Sequence, residues 1–328
     1  MSSSSERARL PRKRLGKTGV EVTAVGIGTA WIGLKTLIEG TSDRYLDEDL
    51  AVSTLHAALE AGVGLIDTAA LYINSRAEQL VARALRERPD LAAGVIVETK
   101  CCHLPDHSDF SYDGVMRSVE GSLQRLDIQR IELLYLHDPP KDSFSLVMGE
   151  GGALQALRKL QSDGVVGHVG VASNNPEDNA PYVESGEFEM AVVPDAYSLL
   201  SQIALERIFP AAQRFGMGVV VATPLERGIL ATGVAAMSEH YARRFLPEVL
   251  AQVDKLEALC AEFGVSLLAA ALQFVTRHPV VATSIPGART PQEARQNALA
   301  GAEPIPEAFW QALQPLVKSW DIVVVPSS

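Results

Sequence analysis

Four residues whose side chains can hold or move a proton follow β-like apolar runs in this chain. Asp67 and Tyr72 lie five residues apart in the segment LIDTAALY. Lys100 ends the run VIVETK, and His137 closes the run LLYLH. The carboxyl ends of neighbouring parallel strands meet at one face of a barrel or sheet, so the four groups converge if these runs are neighbours. The sequence therefore predicts a proton-transfer site.

The chemistry available to these four residues is specific. A phenol has a reference pKa of ~10, and a nearby lysine ammonium favours the phenolate and lowers that pKa. A paired aspartate keeps the lysine charged, and an imidazole can orient a carbonyl or hydroxyl oxygen. Such a pocket holds no serine or cysteine nucleophile and no electron carrier, so hydride transfer there requires a nicotinamide cofactor. Each residue alone has an ordinary structural explanation, and their convergence is what favours a function.

The elements that must position these residues alternate along the chain. Eight runs are continuous in valine, isoleucine, leucine and alanine, as expected of strands buried on both faces of a parallel sheet. They cover residues 22–30, 64–69, 95–100, 131–138, 168–173, 190–195, 219–224 and 281–286. Helical patterns lie between them at 47–62, 76–88, 112–126, 151–163, 176–186, 205–215, 247–263 with 266–277, and 291–300.

Eight strand-helix units in one uninterrupted series favour an α/β fold of the (β/α)8 TIM-barrel type. The main competitor is a doubly wound sheet with a glycine-rich first turn. Gly26 and Gly28 resemble such a turn, but Trp31 occupies the third glycine position and no helix begins there. We expect a disordered tail at residues 1–10 and a single domain at 11–328.

Three long stretches without a clear pattern follow the first, fourth and seventh strands, at 31–45, 139–150 and 225–245. All three fall on the face where barrel enzymes carry their sites. Residues 306–320 are predicted to form an extra C-terminal helix, and the tail after them to lie over a loop.

Composition excludes several classes of function. The chain has 328 residues, is 47% hydrophobic and carries a net charge of −11, which argues against nucleic acid or an anionic membrane as a partner. Three cysteines make no disulfide framework, so a reducing cytoplasm is the expected location. The segment CCHLPDHSD, residues 101–109, lacks the ligand spacing of a zinc site, and its adjacent cysteines are expected to point to opposite faces.

The motifs described above resemble those of the aldo-keto reductase superfamily, from Leu15 to about Leu299. RLGKTGVEVTAVGIGTA resembles the family's N-terminal segment, and the resemblance implies a β-hairpin that closes the barrel bottom. LIDTAALY, VETK and YLHDP carry the family's catalytic tetrad, which is implied to be Asp67, Tyr72, Lys100 and His137. Residues 110–139 resemble the branch that contains D-threo-aldose 1-dehydrogenase, L-fucose dehydrogenase and pyridoxal 4-dehydrogenase.

The resemblance also implies a set of cofactor contacts. They are Ser173, Asn174, Thr223, Pro224, Leu225, Pro286, Gly287, Arg289, Glu293 and Asn297. Gly287 and Glu293 stand where many NADP-using relatives carry a lysine and an arginine, which favours NAD over NADP. Arg289 is the counter-argument, because it could reach a 2′-phosphate. The family's usual glutamine and aromatic contacts to the nicotinamide are replaced by Pro194 and Ala222.

The resemblance implies an NAD(P)-dependent oxidoreductase that converts the C1 hydroxyl of an aldose to a lactone. In this scheme Tyr72 exchanges the proton, aided by Lys100, while Trp31 and His103 contact a small polar substrate. Tyr45 and Tyr241 are further candidates for stacking on a sugar. Two alternatives stay open: an NADPH-dependent reductase of aldehydes or ketones, and a non-catalytic nicotinamide-binding subunit. No metal is expected, and the sequence leaves the oligomeric state open.

Overall fold

Eight parallel strands form the centre of the protein. The computed structural model describes residues 10–36, 44–234, 243–320 and 322–324. The strands are β1 (Ile27–Gly28), β2 (Leu65–Asp67), β3 (Ile96–Cys101), β4 (Ile131–His137), β5 (Val166–Ala172), β6 (Met190–Val193), β7 (Gly218–Ala222) and β8 (Val281–Ile285). Each strand pairs with the next in chain order. The ring closes where the Gly26 amide donates to the Ser284 carbonyl oxygen at 2.8 Å and the Gly28 amide to that of Pro286 at 3.0 Å.

A helix follows each strand and packs outside the ring, so the predicted (β/α)8 barrel is confirmed. The helices are α1 (Glu48–Glu60), α2 (Arg76–Glu87), α3 (Tyr112–Leu126), α4 (Ala153–Ser162), α5 (Pro176–Glu184), α6 (Ile208–Arg214), α7 (Leu267–Arg277) and α8 (Pro291–Ala300). An additional helix, Pro247–Phe263, precedes α7 and is bent away from it by 98°. Gly264 makes this break with a φ of 66°, a conformation that costs glycine little. Within the described residues, no single helix is long and apolar enough to cross a membrane, although this bent pair meets the length and composition criteria together.

The barrel bottom is closed by the implied hairpin, in which Arg12–Arg14 pairs antiparallel with Glu21–Thr23. Leu15 is fully buried and packs into the barrel interior. The approach is so close that a Cβ on Gly218 would lie 2.5 Å from the Leu15 backbone. The predicted first strand, 22–30, is therefore wrong in extent. Its first residues belong to the second strand of the hairpin, and only Ile27–Gly28 joins the barrel.

The C-terminal segment contains less helix than predicted for 306–320. The helix covers Glu307–Leu313 and continues only as a 3-10 turn over Gln314–Leu316, because Pro315 cannot supply the amide hydrogen that a longer helix needs. Its buried aromatic residues pack with the helix Pro247–Phe263. The tail does lie on a loop, since Val323–Val324 pairs with Arg243–Arg244, which follows β7.

The long loops after β1, β4 and β7 contain structure that the sequence pattern does not show. Leu34–Thr36 pairs antiparallel with Arg44–Leu46 after β1. A 3-10 turn and the helix Phe144–Met148 fill much of the stretch predicted as an unpatterned loop at 139–150. After β7 a 3-10 turn leads into the helix Ile229–Thr232. Short helices of this kind have too few residues for an apolar periodicity to be visible.

Candidate active site

Three of the four predicted tetrad residues come together because their strands are neighbours with matched register. Asp67 pairs with Glu98 across β2 and β3, and Lys100 pairs with Tyr135 across β3 and β4. The Lys100 Nζ donates hydrogen bonds to Asp67 Oδ1 and, at 2.9 Å, to the Thr68 carbonyl oxygen. The Lys100 and Asp67 side chains are almost completely buried. Their ion pair lies at the carboxyl end of the barrel.

Tyr72 reaches the same place from the turn after β2. Ile73, Asn74 and Ser75 have left-handed φ values of 51°, 50° and 66°, and the Ser75 hydroxyl donates to the Ala70 carbonyl oxygen at 2.7 Å. This strained turn follows Tyr72 directly and leads from β2 into α2. The Lys100 Nζ lies 4.6 Å from the centroid of the Tyr72 ring.

His137 completes the cluster at the end of β4. Its ring centroid lies 5.6 Å from that of Tyr72, and the two planes meet edge to face at 83°. Burial, followed by the positive charges of Lys100 and His103, lowers the pKa of His137 well below its usual range. A neutral imidazole therefore faces Tyr72 at neutral pH, and its buried Nδ1 has no hydrogen-bond partner among the described residues.

Burial dominates the electrostatics of Tyr72. Desolvation raises the pKa of Tyr72 to about 12, although the charge of Lys100 acts to lower it. Lys100 thus lowers the pKa of Tyr72 as expected, but desolvation outweighs this effect. Removing the phenolate from water costs more free energy than its attraction to one cation supplies. In the protein without ligands Tyr72 is protonated at neutral pH.

Lys100 keeps its proton despite its burial. Desolvation acts to lower the pKa of Lys100, but the negative charge of Asp67 and the hydrogen bond to it act in the opposite direction, and the net shift is upward. Burial raises the pKa of Asp67, and the charge of Lys100 opposes that rise. The pair therefore holds a cation beneath the Tyr72 ring, as the sequence predicted.

His103 lies at this site as well, on the loop after β3. Its ring centroid is 5.5 Å from that of His137, and its Nδ1 is 3.9 Å from Asp138 Oδ2. Asp138, which the sequence analysis did not single out, also accepts hydrogen bonds from the Asn174 backbone amide at 2.8 Å and from the Asn174 Nδ2 at 2.9 Å. This aspartate links the loops after β3, β4 and β5.

The predicted cofactor residues lie at the carboxyl ends of β5, β7 and β8. Ser173 is buried directly after β5 and Asn174 is exposed beside it. After β7, the Thr223 hydroxyl accepts from the Asp195 amide at 2.9 Å. Its carboxylate lies 3.4 Å from Arg227. Pro224 and Leu225 continue this turn.

The loop after β8 leads into the N-terminus of α8. Thr290 caps this helix by accepting from the Glu293 amide at 3.2 Å. The Arg289 guanidinium lies 3.2 Å from Glu293 Oε1, and the Arg289 amide donates to Glu293 Oε2 at 2.8 Å. Asn297 Nδ2 donates to the Gly287 carbonyl oxygen at 3.2 Å. Pro286 is buried at the start of this loop.

These residues fit a dinucleotide. Gly287 has open space where a Cβ would stand, so the backbone there can be approached closely. The positive dipole end of the following helix points toward the same loop, which suits a phosphate. Arg295, a further arginine of α8, does not pair within this loop but with Glu60 of α1 at 2.8 Å.

Other candidate substrate contacts lie on the long loop after β1. Trp31 is 41% exposed there, and Tyr45 is 43% exposed with Lys35 Nζ 5.9 Å from its ring centroid. Both rings therefore have free surface on which a sugar could stack. Tyr241 lies outside the described residues.

Comparison with known proteins gives the family. A model of the aldo/keto reductase family matches residues 24–318. The chain belongs to the aldo/keto reductase family, a family of oxidoreductases. It is 30% identical to pyridoxal 4-dehydrogenase of Microbacterium luteolum over 92% of this chain and 96% of the relative. It is also 30% identical to D-threo-aldose 1-dehydrogenase of a Pseudomonas species, over 90% of this chain and 94% of that relative. The holo form of an aldo-keto reductase from Bacillus halodurans superimposes with a TM-score of 0.76 at 26% identity, over 95% of this chain and 98% of that one.

Two further buried side chains of this aldo/keto reductase, Glu98 and Tyr135, lie next to the tetrad and were not predicted from the sequence. Glu98 is fully buried, and the Tyr135 hydroxyl donates to its Oε2 at 2.9 Å. The signal was present in the sequence, because Glu98 stands two residues before Lys100 and therefore on the same side of β3. A glutamate inside an apolar strand is itself unusual.

The cysteine-rich loop of this aldo/keto reductase differs from expectation. Cys101 and Cys102 do not point to opposite faces, since their sulfur atoms lie 3.5 Å apart. The reason is that Cys102 has a φ of 76°, which ends the strand alternation. Among the described residues, no group of three or more histidine, cysteine, aspartate or glutamate side chains is placed to hold a metal ion.

Proposed function

We propose that this protein is an NAD(P)-dependent oxidoreductase of a small polar alcohol, with the C1 hydroxyl of an aldose as the favoured substrate and a lactone as its product. The observation that carries the proposal is the buried Lys100–Asp67 pair directly beneath the Tyr72 ring, with the neutral His137 imidazole beside it. The two relatives that are 30% identical are named for dehydrogenation of pyridoxal and of an aldose.

The proton chemistry belongs to Tyr72. His137 orients the hydroxyl oxygen of the substrate, and Tyr72 as a phenolate accepts the hydroxyl proton. Lys100 stabilises that phenolate, and Asp67 holds Lys100 in place. A bound nicotinamide supplies the hydride acceptor. Because the pKa of Tyr72 is raised to about 12 by burial, the phenolate is scarce at neutral pH, and the rate of oxidation is expected to rise with pH.

The cofactor would be held by the ends of β5, β7 and β8. Ser173 and Asn174 would contact the nicotinamide carboxamide, Thr223, Pro224 and Leu225 the pyrophosphate side, and the loop from Pro286 to Arg289 the adenosine end with Asn297. Glu293 suits a free ribose diol better than a phosphate dianion, and Arg289 is already paired with it. We therefore favour NAD.

The substrate would enter beside His103. Its ring lies next to that of His137 and close to Asp138, so both groups can contact the hydroxyls of a sugar. Trp31 is proposed as an aromatic wall of the same entrance. The buried, unpaired cysteines fit a reducing compartment, and we propose that the protein works in the cytoplasm.

The neutral-pH state of Tyr72 supports a second candidate function. A protonated phenol beside Lys100 is ready to give a proton to a carbonyl oxygen, which is the requirement of an aldehyde or ketone reductase. The proposal that the chain is a non-catalytic nicotinamide-binding subunit is less favoured, because all four tetrad side chains are brought together.

The test is turnover with a panel of aldoses, pyridoxal and simple aldehydes, with each dinucleotide in both redox states. We expect NAD reduction by an aldose at alkaline pH and a loss of at least about 100-fold in Tyr72→Phe. Dinucleotide binding, followed by quenching of tryptophan fluorescence, serves as the folding control. NADPH consumption by aldehydes with no aldose oxidation would give the reductase, and binding without turnover in any arm would give the binding subunit.

A further inference from the structure

A second carboxyl group lies directly below the Lys100–Asp67 pair. Glu98 is the register partner of Asp67 on the adjacent strand, and it stands two residues before Lys100 on β3. Side chains two residues apart on a strand share a face, so Glu98 and Lys100 both point into the barrel. Tyr135, the register partner of Lys100, covers Glu98 from β4 and is fully buried in the barrel interior.

The surroundings of Glu98 favour a proton on the carboxyl pair. The Tyr135 hydroxyl donates to Glu98 Oε2 at 2.9 Å. Asp67 and Glu98 are register partners inside the barrel, and two carboxyl groups placed side by side can share a hydrogen bond only if one of them carries the hydrogen. Glu98 Oε1 is buried and accepts from no other group among the described residues, as expected of an oxygen that donates instead.

Charge balance leads to the same conclusion. Asp67, Glu98 and Lys100 share one water-poor space, and two carboxylates against one ammonium would leave a net buried charge, which is costly. A single proton retained by the carboxyl pair makes the group neutral. Lys100 already fixes the carboxylate of Asp67 by direct hydrogen bonding, so the retained proton belongs on Glu98.

We propose that Glu98 is a positioning residue that remains protonated while the enzyme works, donates to Asp67, and keeps a single negative charge beneath Lys100 and Tyr72. This inference rests on the proposed function of the tetrad and adds a residue to it. Ionised Glu98 would place a second negative charge below the site. That charge would disfavour the Tyr72 phenolate and slow proton transfer.

The groups that face Glu98 come from three elements. Asp67 of β2, Lys100 of β3 and Tyr135 of β4 are its charged or titratable neighbours, with Tyr72 above Lys100. Burial, followed by the negative charge of Asp67, raises the pKa of Glu98 to about 8, while Lys100 and the hydrogen bond from Tyr135 act in the opposite direction. The protonated form therefore predominates at neutral pH.

The first experiment compares the rate of the intact enzyme with that of Glu98→Gln as pH rises. Glutamine has the shape of the protonated acid and keeps both hydrogen bonds, but it cannot ionise. We expect the kcat of the variant to lie within about twofold of the natural enzyme near pH 6.5 and to exceed it by about tenfold near pH 9. A ratio that stays constant with pH would overturn the proposal.

Tyr135→Phe is the matched variant, because it removes the hydrogen bond that favours ionised Glu98. Its rate is compared with that of the double variant, which carries both Tyr135→Phe and Glu98→Gln. The rates of Tyr135→Phe and of the double variant should begin to differ at a certain pH. That pH should be higher than the pH at which the rates of the natural enzyme and of Glu98→Gln begin to differ. A purely structural role of Tyr135 would lower the rate equally at every pH. A downward shift would contradict the assignment of the proton to Glu98.

A second readout needs no turnover. Protein labelled with ¹³C at the glutamate side-chain carboxyl carbons should show one resonance that titrates near pH 8. This resonance should disappear in Glu98→Gln and move to higher pH in Tyr135→Phe. If no such resonance exists, the inference fails even where Tyr72→Phe behaves as proposed. If the resonance is present but Tyr72→Phe retains full activity, the proposed function fails and the protonated Glu98 stands.

Discussion

At the scale of single residues, burial competes with charge throughout this site. Tyr72 lies close to a lysine cation, yet desolvation raises its pKa to about 12. Lys100 is equally buried, yet the charge of Asp67 and the hydrogen bond to it keep its proton in place. Whether a buried group is ionised therefore depends on its charged neighbours: Lys100 donates directly to the Asp67 carboxylate, whereas the negative charges of Asp67 and Asp138 oppose the effect of Lys100 on Tyr72.

The choice of dinucleotide is also decided at this scale. Glu293 pairs with Arg289, and in the proposed cofactor site it would add negative charge where a 2′-phosphate would lie. Glu293→Gln should raise the ratio of kcat/KM for NADP to that for NAD by about tenfold, because it removes a repulsion and frees the guanidinium for bidentate binding. The measurement is steady-state kinetics with both dinucleotides.

A matched control for this change is Glu307→Gln. Glu307 also pairs with an exposed arginine, Arg277, but on the C-terminal helix. It should leave the ratio unchanged. An unchanged ratio in Glu293→Gln would mean that this carboxylate does not face the cofactor.

At the scale of elements, a buried ionic group fixes α2 against β3 and α3. Glu78 of α2 is fully buried, accepts from the Thr99 hydroxyl at 2.6 Å and pairs with the Arg125 Nε of α3, also at 2.6 Å. Thr99 precedes Lys100, so this group sets the position of the strand that carries the tetrad lysine. Thr99 and Lys100 point to opposite sides of β3. The hydrogen bond of Thr99 to Glu78 outside the barrel therefore restricts the position of Lys100 inside it.

Removal of this carboxylate is expected to destabilise the fold. Glu78→Ala leaves Arg125 without its buried partner and should lower the free energy of unfolding by about 3–5 kcal/mol. The measurement is urea unfolding followed by circular dichroism. Glu87→Ala, at an exposed ion pair with Arg83 on the same helix, should cost less than about 1 kcal/mol. Equal effects of the two changes would show that burial does not govern the contribution of Glu78.

At the scale of the whole molecule, the proton on Glu98 links folding to pH. The folded protein holds this proton up to a pKa of about 8, whereas the unfolded chain releases it near the ordinary value of 4.5. Between these values the unfolded state binds fewer protons, so Glu98 makes the folded state progressively less stable as pH rises. Below pH 4.5 both states are protonated and this cost is absent.

Glu98→Gln removes that dependence. Its free energy of unfolding relative to the natural protein should increase with pH between about 4.5 and 8, by at most ~1.4 kcal/mol for each pH unit. Urea titrations at several pH values measure it. Glu307→Gln, at the exposed ion pair with Arg277, is the control for replacing a glutamate that is not buried. A difference that is independent of pH would show that Glu98 ionises in the folded protein as it does in the unfolded chain.

Most of the architecture could be predicted from the sequence alone. Eight apolar runs alternating with amphipathic helices admit few arrangements, because strands buried on both faces must lie in a parallel sheet covered by helices. The motifs at the ends of β2, β3 and β4 then indicated Asp67, Tyr72, Lys100 and His137, because strand order alone brings those ends together. The N-terminal hairpin followed from the family resemblance, and the structure confirms it.

The environment of these residues, by contrast, could not be predicted from the sequence. The balance of burial against charge at Tyr72, the hydrogen bonds of Asp138 to Asn174, and the contact between the sulfur atoms of Cys101 and Cys102 all depend on neighbours distant in sequence or on a single backbone angle. The Glu98–Tyr135 hydrogen bond joins residues 37 positions apart. A strand pattern specifies which side of the sheet a residue faces, but the energy of a buried charge depends on the atoms that replace water around it, and only folding supplies those atoms.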